Sequence, residues 1–242
     1  MTLVALATLW PTAAKAYRPF NSTDAAVVAK GEMEIELAPA DWLRSGPESS
    51  LVVPSLILNW GFADRWEAVL EGKQFLQVGG KVTGPRYRLE DTALNIKGVL
   101  REGSLQEKEG ISVATEVGAL LPTVNGDAGM GAQGAIILSQ RWQALTLHLN
   151  GQLAWTRAHT LGFFGGLILE GPDGWPVRPV AEIFIEGEQD APTMTSGLLG
   201  VIWRVRDGLS FDAAVRAARV GGDNVAEIRL GLTWAFSVGC PR

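Results

Sequence analysis

The chain is poor in cysteine, histidine and charge, and each shortage excludes a class of protein. A single cysteine, Cys240, excludes an internal disulfide framework and any cysteine-based metal cluster. Two histidines, His148 and His159, are too few to build a zinc site unaided. The net charge of −5 does not supply the basic surface that nucleic-acid binding requires. Only 19% of the 242 residues are charged, which is low for a soluble surface.

Long apolar runs are missing beyond the N-terminus, where none approaches the ~18 residues that a membrane helix needs. The first residues, "MTLVALATLWPTAAKA", join an apolar run to small residues and end in an A-x-A pattern. We interpret residues 1–16 as a signal peptide, the alternative being a buried N-terminal strand or helix. We therefore expect the protein to be exported and not to cross a bilayer as helices.

The rest of the chain is a series of segments in which apolar and polar residues alternate. Twelve such segments recur between residues 31 and 236, separated by turn residues, and helical signatures with caps are nearly absent. In the last segment, "EIRLGLTWAF", apolar residues occupy every second position from Ile228 to Phe236. The rhythm predicts an all-β fold of 12 strands, followed by a short C-terminal tail at residues 237–242.

The connections between these segments differ in length. "GFAD", "RWQA" and "VRDG" predict tight turns at one rim, whereas "ADWLRSGPESS", "GGKVTGPRYR", "LPTVNGDAGM" and "GEQDAPTM" predict longer loops at the other. Such an asymmetry is typical of outer-membrane barrels, whose strand number is usually even. Trp60, Trp66, Trp142, Trp203 and Trp234 lie near the tight turns or the C-terminal end, as an aromatic girdle would require, and Trp42 and Trp155 lie near the opposite ends of their strands.

One face of each segment is apolar, and the other carries charges of both signs. A polar interior and an apolar exterior fit this pattern better than a soluble barrel, because a closed barrel leaves no unpaired backbone edge in lipid. Twelve residues at a rise of ~3.3 Å span ~40 Å, or ~28 Å of membrane at a ~45° tilt. The prediction is a closed antiparallel transmembrane β-barrel over residues 31–236.

By parity, the charged residues of the polar face would lie in the lumen. These candidates are Glu67, Glu71, Lys73, Lys97, Glu116, Glu182, Glu186, Asp212, Arg216, Glu227 and Arg229. They could form a path or binding site for a solute, or an ion-pair network that makes the barrel rigid. Twelve strands leave room for a narrow channel at best. Residues 17–30 are expected to lie in the periplasm or to fold into the lumen as a plug.

The ordered series of segments resembles a known family. "LILNWGFADRWEAVLEG", "TALNIKGVL", "GISVATEVGALLPT", "LHLNGQLAW", "VAEIFIEGE", "GLSFDAAVR" and "IRLGLTWAF" resemble, in this order, the phenol-degradation meta-pathway family of outer-membrane β-barrels. The resemblance spans roughly residues 54–236. It implies insertion into the outer membrane of a Gram-negative bacterium and transport of hydrophobic compounds. The matching polar positions are Lys97, Glu182, Asp212, Arg216 and Arg229, and the tail "SVGCPR" departs from barrels that stop at the terminal aromatic.

The expected function is passage or binding of a small solute, which the resemblance implies to be hydrophobic. The expected partners are outer-membrane lipid, the solute and the barrel-assembly machinery, which would read the terminal aromatic strand, and no nucleic acid. One alternative is a structural or surface-interaction barrel with a closed lumen; a second is a lipid-modifying enzyme. We expect no catalytic residue, because His148 and Asn150 share the lumen face, whereas a membrane phospholipase needs its Asn-His-Ser set on the lipid side. No dinucleotide cofactor is expected, since "GMGAQG" leads into a β-rich segment and not a helix. No metal is expected either, because two histidines are too few for zinc and "VNGDAG" and "GGDN" are typical turn sequences.

Overall fold

A computed structural model describes residues 18–81 and 84–238. The predicted signal peptide, residues 1–16, lies outside these residues, and so does Cys240 in the predicted tail. In the described part of the chain, no helix is long and apolar enough to cross a membrane. The structure there is an antiparallel β-sheet with one short 3-10 helix, Ser104–Gln106.

The sheet contains thirteen strand segments that pair mainly with their neighbours in sequence. The segments are β1 (Glu32–Ala38), β2 (Asp41–Ser45), β3 (Glu48–Ala63), β4 (Trp66–Gly79), β5 (Tyr87–Arg101), β6 (Ser112–Leu120), β7 (Gly131–Arg141), β8 (Thr146–Trp155), β9 (Leu161–Glu170), β10 (Val177–Glu188), β11 (Met194–Arg206), β12 (Leu209–Val220) and β13 (Asp223–Ser237). Gly131 and Gly134 of the "GMGAQG" motif lie on β7.

The sheet closes on itself through its first and last strands. Both β1 and β2 pair with β13 on one side and with β3 on the other, so they are successive halves of one barrel strand. The fold is therefore the predicted closed antiparallel β-barrel of 12 strands. Closure leaves no free sheet edge, which is the condition for a β-structure in lipid.

The break between β1 and β2 falls at Pro39, which has no N–H to donate to the ladder. The side chain of Asp41 repairs part of the gap, because its Oδ1 accepts a hydrogen bond of 2.9 Å from the backbone N–H of Leu230 on β13. The prediction of a long loop over "ADWLRSGPESS" is therefore wrong. Most of that stretch is strand, with a turn at 46–47, because backbone pairing on both sides overrides its polar and glycine-rich composition.

The barrel is polar inside and apolar outside. On β10 the side chains of Glu182 and Phe184 are buried, whereas that of Ile183 between them is 62% exposed. On β11 Leu198 is buried and Leu199 is 66% exposed. The exposed side chains across the sheet are mostly Leu, Ile, Val and Trp, whereas the buried set contains many carboxylates, amides and hydroxyls. A soluble protein has the opposite arrangement.

Residues 30 and 238 lie at one rim, here called the chain-end rim. The tight turns at 64–65, 142–145 and 207–208 lie at this rim, as predicted, but so does the connection 102–111. At the opposite rim, 121–130 is long, whereas 46–47 and 221–222 are tight. The predicted alternation of turn lengths is thus only partly correct. The connection 102–111 is long because it carries Leu105, which packs inside against Ala25.

The tryptophans follow the rims on the outer surface. Five exposed tryptophans lie near the chain-end rim: Trp60, Trp66, Trp142, Trp203 and Trp234. Trp175 joins them from the connection 171–176, and Trp42 and Trp155 are exposed towards the opposite rim. Trp234 packs on Phe236 with ring centroids 4.8 Å apart. Two aromatic bands on an apolar wall are typical of barrels that span a bilayer.

A charge placed on this outer wall tests its contact with lipid. Ile183→Arg lies in the middle of β10, and we expect it to lower the free energy of unfolding in bilayers by ~2–4 kcal/mol, the cost of an arginine at the midplane. The matched control is Val124→Arg in the connection 121–130, where an exposed substitution changes stability by no more than ~0.5 kcal/mol. Denaturant titration of the protein folded into vesicles measures both values. Equal, small effects would contradict a lipid-facing wall.

Candidate functional site

All eleven residues predicted for the lumen lie on the inward face of the barrel. The most deeply buried are Glu67, Lys97, Glu182, Asp212, Glu227 and Arg229, and the others are Glu71, Lys73, Glu116, Glu186 and Arg216. They do not form one cluster. The structure brings Glu67 together with Lys97, and Arg216 together with Glu227 and Arg229, and it leaves Glu71, Glu116 and Glu186 spread around a cavity.

Residues 18–30, here called the N-terminal segment, run through the lumen towards the chain-end rim. Glu182 on β10 anchors the segment, because its carboxylate accepts the backbone N–H of Asn21 at 3.0 and 3.1 Å and that of Ser22 at 2.6 Å. Bonds from N–H groups to an ionised acceptor are stronger than those between neutral partners. The segment has no regular secondary structure, so the barrel wall supplies the partners that its backbone needs.

Neutral side chains of the wall hold the middle of the segment. Asn150 forms a pair of hydrogen bonds with Thr23: its Oδ1 accepts the backbone N–H at 3.0 Å, and its Nδ2 donates to the carbonyl at 2.7 Å. Ser139 Oγ accepts the N–H of Ala25 at 2.9 Å. From the connection 102–111, Gln106 Nε2 donates to the carbonyl of Ala25 at 2.9 Å. The backbone is thus paired on both sides, as a buried backbone must be.

Arg18 carries the charge at the start of the segment. Its guanidinium lies between two carboxylates, 3.6 Å from Asp41 Oδ1 and 3.4 Å from Asp212 Oδ2, and all three side chains are buried. The approach is close because Gly231 lies on the wall here, where an added Cβ would be 2.2 Å from Arg18 Nε. Arg18 therefore joins the segment to β2 and β12 by charge, at a place that only glycine leaves open.

The C-terminal end of the segment also approaches the wall closely at a glycine. An added Cβ at Gly61 on β3 would lie 2.1 Å from the carbonyl oxygen of Ala29 and 2.5 Å from that of Val28. The backbone N–H of Val28 donates to Glu67 Oε2 at 2.7 Å. The wall of the barrel is therefore shaped to receive the segment at both ends, and the segment is part of the folded lumen.

Lys97 on β5 is the cation at the centre of the wall. It lies in register with Glu67 on β4 and with Glu116 on β6. Its Nζ is 3.5 Å from Glu67 Oε1 and 3.9 Å from Asp24 Oδ1, and it donates to Thr23 Oγ1 at 3.2 Å. The side chain is only 1% exposed. A lysine buried to this degree requires partners of opposite charge, and here the strands and the segment supply them together.

A second ion cluster lies on β12 and β13. Glu227 Oε2 accepts from Arg216 Nε at 2.6 Å and from Arg229 Nη2 at 3.0 Å. Arg229 Nη1 also donates to the carbonyl of Pro19 at 2.6 Å. The guanidinium of Arg216 lies over the ring of Phe184, 5.9 Å from its centroid. These contacts tie the cluster to the N-terminal segment and give it a structural role.

A serine, a histidine and a glutamate form a chain inside the barrel. Ser139 Oγ is 2.8 Å from Nδ1 of His148, whose Nε2 is 3.1 Å from Glu170 Oε1. A catalytic triad uses the ring nitrogens the other way round, with serine on Nε2 and the acid on Nδ1. Ser139 and His148 are 1% exposed, and Ala25 covers Ser139. The chain therefore connects the N-terminal segment to the wall and presents no nucleophile to a substrate.

Sequence reasoning missed several lumen residues. Glu34 and Glu36 on β1 are buried, and the alternation of that strand could have found them. Asp41 lies in a stretch whose composition predicts a loop. Arg18 and Asp24 lie outside any strand, so no periodic signal marks them. The missed residues named here lie on β1 and β2 or in the N-terminal segment.

Above the N-terminal segment the lumen contains a cavity of about 540 Å³. Asn21, Ser22 and Thr23 of the segment line it on the inner side, and Ala191 and Pro192 line it at the opposite rim, where both are exposed. The wall between carries Glu71, Glu116 and Glu186 among other polar side chains. No group of three or more His, Cys, Asp or Glu positioned to hold a metal occurs in residues 18–81 and 84–238.

Together these features define the class of the fold: a lipid-facing β-barrel with a polar lumen. The chain is similar to an outer-membrane channel from Pseudomonas putida F1, with a TM-score of 0.66 at 9% identity over 90% of this chain and 100% of that one. It is also similar to the KdgM porin, with a TM-score of 0.55 at 9% identity over 84% and 99%. No family model matches the chain, and the search of curated proteins found no match. The likeness establishes the fold of bacterial outer-membrane barrels.

Removing the charge of Lys97 tests its place in the lumen. Lys97→Met leaves Glu67 without its cation, so we expect the free energy of unfolding to fall by ~3–5 kcal/mol, as when one partner of a buried pair is removed. Lys73→Met is the matched control, because its pair with Asp91 is partly exposed and worth no more than ~1 kcal/mol. Adding Glu67→Gln to Lys97→Met should restore part of the loss. Denaturant titration in detergent gives all three values, and equal losses for the two lysines would refute this role.

Crowding the segment tests how it is held. Gly61→Ala places a methyl group on the carbonyls of Val28 and Ala29, so we expect the amides of residues 18–30 to exchange with solvent at least ~10 times faster. Gly197→Ala is the control, because nothing lies within 4 Å of its added Cβ. Hydrogen exchange followed by mass spectrometry measures the exchange rate in a peptide that covers the segment. Unchanged exchange in Gly61→Ala would show that the wall does not hold the segment.

Proposed function

We propose that this protein is an outer-membrane barrel that binds a small solute in its lumen and passes it across the membrane. The observation that carries the proposal is the 540 Å³ cavity inside a closed, lipid-facing barrel, bounded by the N-terminal segment on one side and by rim residues on the other. A barrel that served only as a scaffold would gain stability from filling this space with side chains. The volume falls within the range of small-molecule pockets.

The orientation follows from the turns and the chain ends. Short turns of outer-membrane barrels face the periplasm, and three of the five tight turns lie at the chain-end rim, against two, 46–47 and 221–222, at the opposite rim. We place this rim in the periplasm, with Trp234 and Phe236 at that interface, and the cavity mouth outside. The resemblance to the phenol-degradation meta-pathway family adds a transport role and suits a solute with a small apolar body. No catalytic residue and no cofactor take part.

Passage requires the N-terminal segment to move, because it lies between the cavity and the chain-end rim. The contacts that hold it are hydrogen bonds and ion pairs to side chains of the wall, among them Glu182, Asn150 and Asp212. No strand pairing joins the segment to the wall. It can therefore leave the wall without breaking a strand pair, and the proposal requires a second state in which it has done so.

The competing function is a structural or surface-interaction barrel. The observation that favours it is the same segment, whose buried contacts close the lumen on the chain-end side. In that case the barrel would conduct in neither the native form nor a variant with a loosened segment. The two functions therefore differ in one measurable quantity, the conductance after the segment is released.

Glu182→Ala tests the transport proposal in planar bilayers. The change removes the acceptor of two backbone N–H groups, and each charge-assisted bond is worth ~1.5–3 kcal/mol. Since 1.4 kcal/mol corresponds to a factor of ten in an equilibrium, we expect the open fraction to rise at least ~10-fold. Glu109→Gln is the control, because Glu109 is exposed in the connection 102–111 and does not line the cavity. If native protein and Glu182→Ala both fail to conduct or to admit solutes into vesicles, the transport proposal fails and the closed barrel stands.

A further inference from the structure

We propose that the lumen cavity selects an organic cation: an amine carried on a small apolar or aromatic body. The inference rests on the proposed function, since it names the chemical class of the solute for the same cavity. It follows from the balance of charge on the cavity wall, from which charges are already paired, and from the aromatic side chains that lie beside the unpaired ones.

The wall of the cavity is acidic. Ten ionisable side chains line it: the acids are Glu36, Glu67, Glu71, Asp91, Glu116, Glu186 and Glu188, and the bases are Lys73, Lys97 and Arg157. The bases are engaged, since Lys73 pairs with Asp91 at 3.0 Å and Lys97 with Glu67 at 3.5 Å. The guanidinium of Arg157 donates to the backbone carbonyls of Leu121 and Thr92. An anion therefore meets no unengaged cation on this wall.

Five carboxylates on the wall have no cation within 4.0 Å among the residues that the structure describes. Glu188 accepts hydrogen bonds from the hydroxyls of Thr156 and Thr160 instead. The other four are Glu36, Glu71, Glu116 and Glu186. Two of these acids differ in their partners from the acids four residues away on the same strands. Glu67 and Glu182 accept N–H groups from the N-terminal segment, whereas Glu71 and Glu186, four residues farther along the same faces, lie beyond its reach. The segment supplies hydrogen-bond donors to the acids nearer the chain-end rim and leaves those on the far side of the cavity to the solute.

Glu36 gives the second, independent sign of a ligand. Its side chain is 1% exposed and lines the cavity. Oε1 accepts a hydrogen bond of 3.0 Å from Asn59 Nδ2, and Oε2 has no hydrogen-bond partner in the described part of the chain. A buried carboxylate oxygen without a donor is strongly unfavourable, and a donor that enters the cavity removes the cost. An ammonium group offers such donors together with the opposite charge.

The placement of the acids favours an organic cation over a metal ion. The four carboxylates come from β1, β4, β6 and β10, and no three acidic or histidine side chains of the described residues converge as a metal site requires. Phe20 and Phe164 line the same cavity, and Phe164 packs on Phe184 with centroids 5.3 Å apart. Aromatic faces attract ammonium groups and pack against apolar bodies. The wall thus offers one surface for the charge and one for the body of an amine.

Three probe molecules with nearly the same aromatic skeleton and end groups of different charge test the inference. Equilibrium dialysis of the detergent-solubilised protein against 2-phenylethylamine, 2-phenylethanol and phenylacetate measures binding without requiring passage. We expect the amine to bind at least ~10-fold more tightly than the other two, which differ from it in charge. Added salt should weaken the binding of the amine and leave that of the alcohol unchanged.

Glu71→Gln combined with Glu116→Gln should reduce the preference for the amine to less than about threefold, because glutamine keeps the shape and removes the charge. The control Glu109→Gln lies in the connection 102–111, is exposed, and should change nothing. The shift between folded and boiled protein on a detergent gel shows that each variant is a barrel. Equal binding of the amine and the alcohol, or an unchanged preference in the double variant, overturns the cation inference while the solute-passing proposal survives. Binding of none of the probes overturns the inference, and conductance of Glu182→Ala then decides the proposed function separately.

Discussion

The structure depends on one constraint: backbone N–H and C=O groups in hydrocarbon must find partners within the protein. The chain meets it by closing the sheet between β1–β2 and β13, so that every strand has two neighbours. Closure also determines which side chains face the lumen. Because successive side chains on a strand point to opposite faces, an apolar outer wall forces the alternate residues into the lumen. The polar residues that look like interruptions of each strand are the lining that closure requires.

A polar lining brings its own requirement, since charges within the barrel need partners of opposite sign. The strands supply some of them, as in the pairs of Lys97 with Glu67 and of Arg216 with Glu227. The strands do not supply enough cations and donors for all the carboxylates. The N-terminal segment supplies part of the difference, with the guanidinium of Arg18 and a run of backbone N–H groups. Lumen and segment are therefore one structure, although only the lumen has a periodic sequence.

This division explains how much the sequence could predict. The number of barrel strands, the apolar exterior and the lumen face of residues such as Glu182 and Arg229 follow from a period of two, which needs no knowledge of neighbours. The strand β2 could not be predicted, because its backbone partners on β3 and β13 override a polar, proline-flanked composition. The contacts of Arg18 and Asp24 were out of reach for another reason. An irregular segment takes its conformation from the wall that receives it, and that wall exists only after the barrel has closed.

The same reasoning explains why the lumen is half filled. On β4 and on β10 the acidic residues come in pairs four positions apart, Glu67 with Glu71 and Glu182 with Glu186. Four residues of strand span roughly 13 Å, more than one extended chain lying in the lumen can cover. The segment meets the member of each pair nearer to the chain-end rim, and the cavity meets the other. A wall that was only structural would need no acid beyond the reach of the segment, because each unpaired carboxylate weakens the barrel. The second member of each pair is therefore best explained by a partner that the chain itself does not contain.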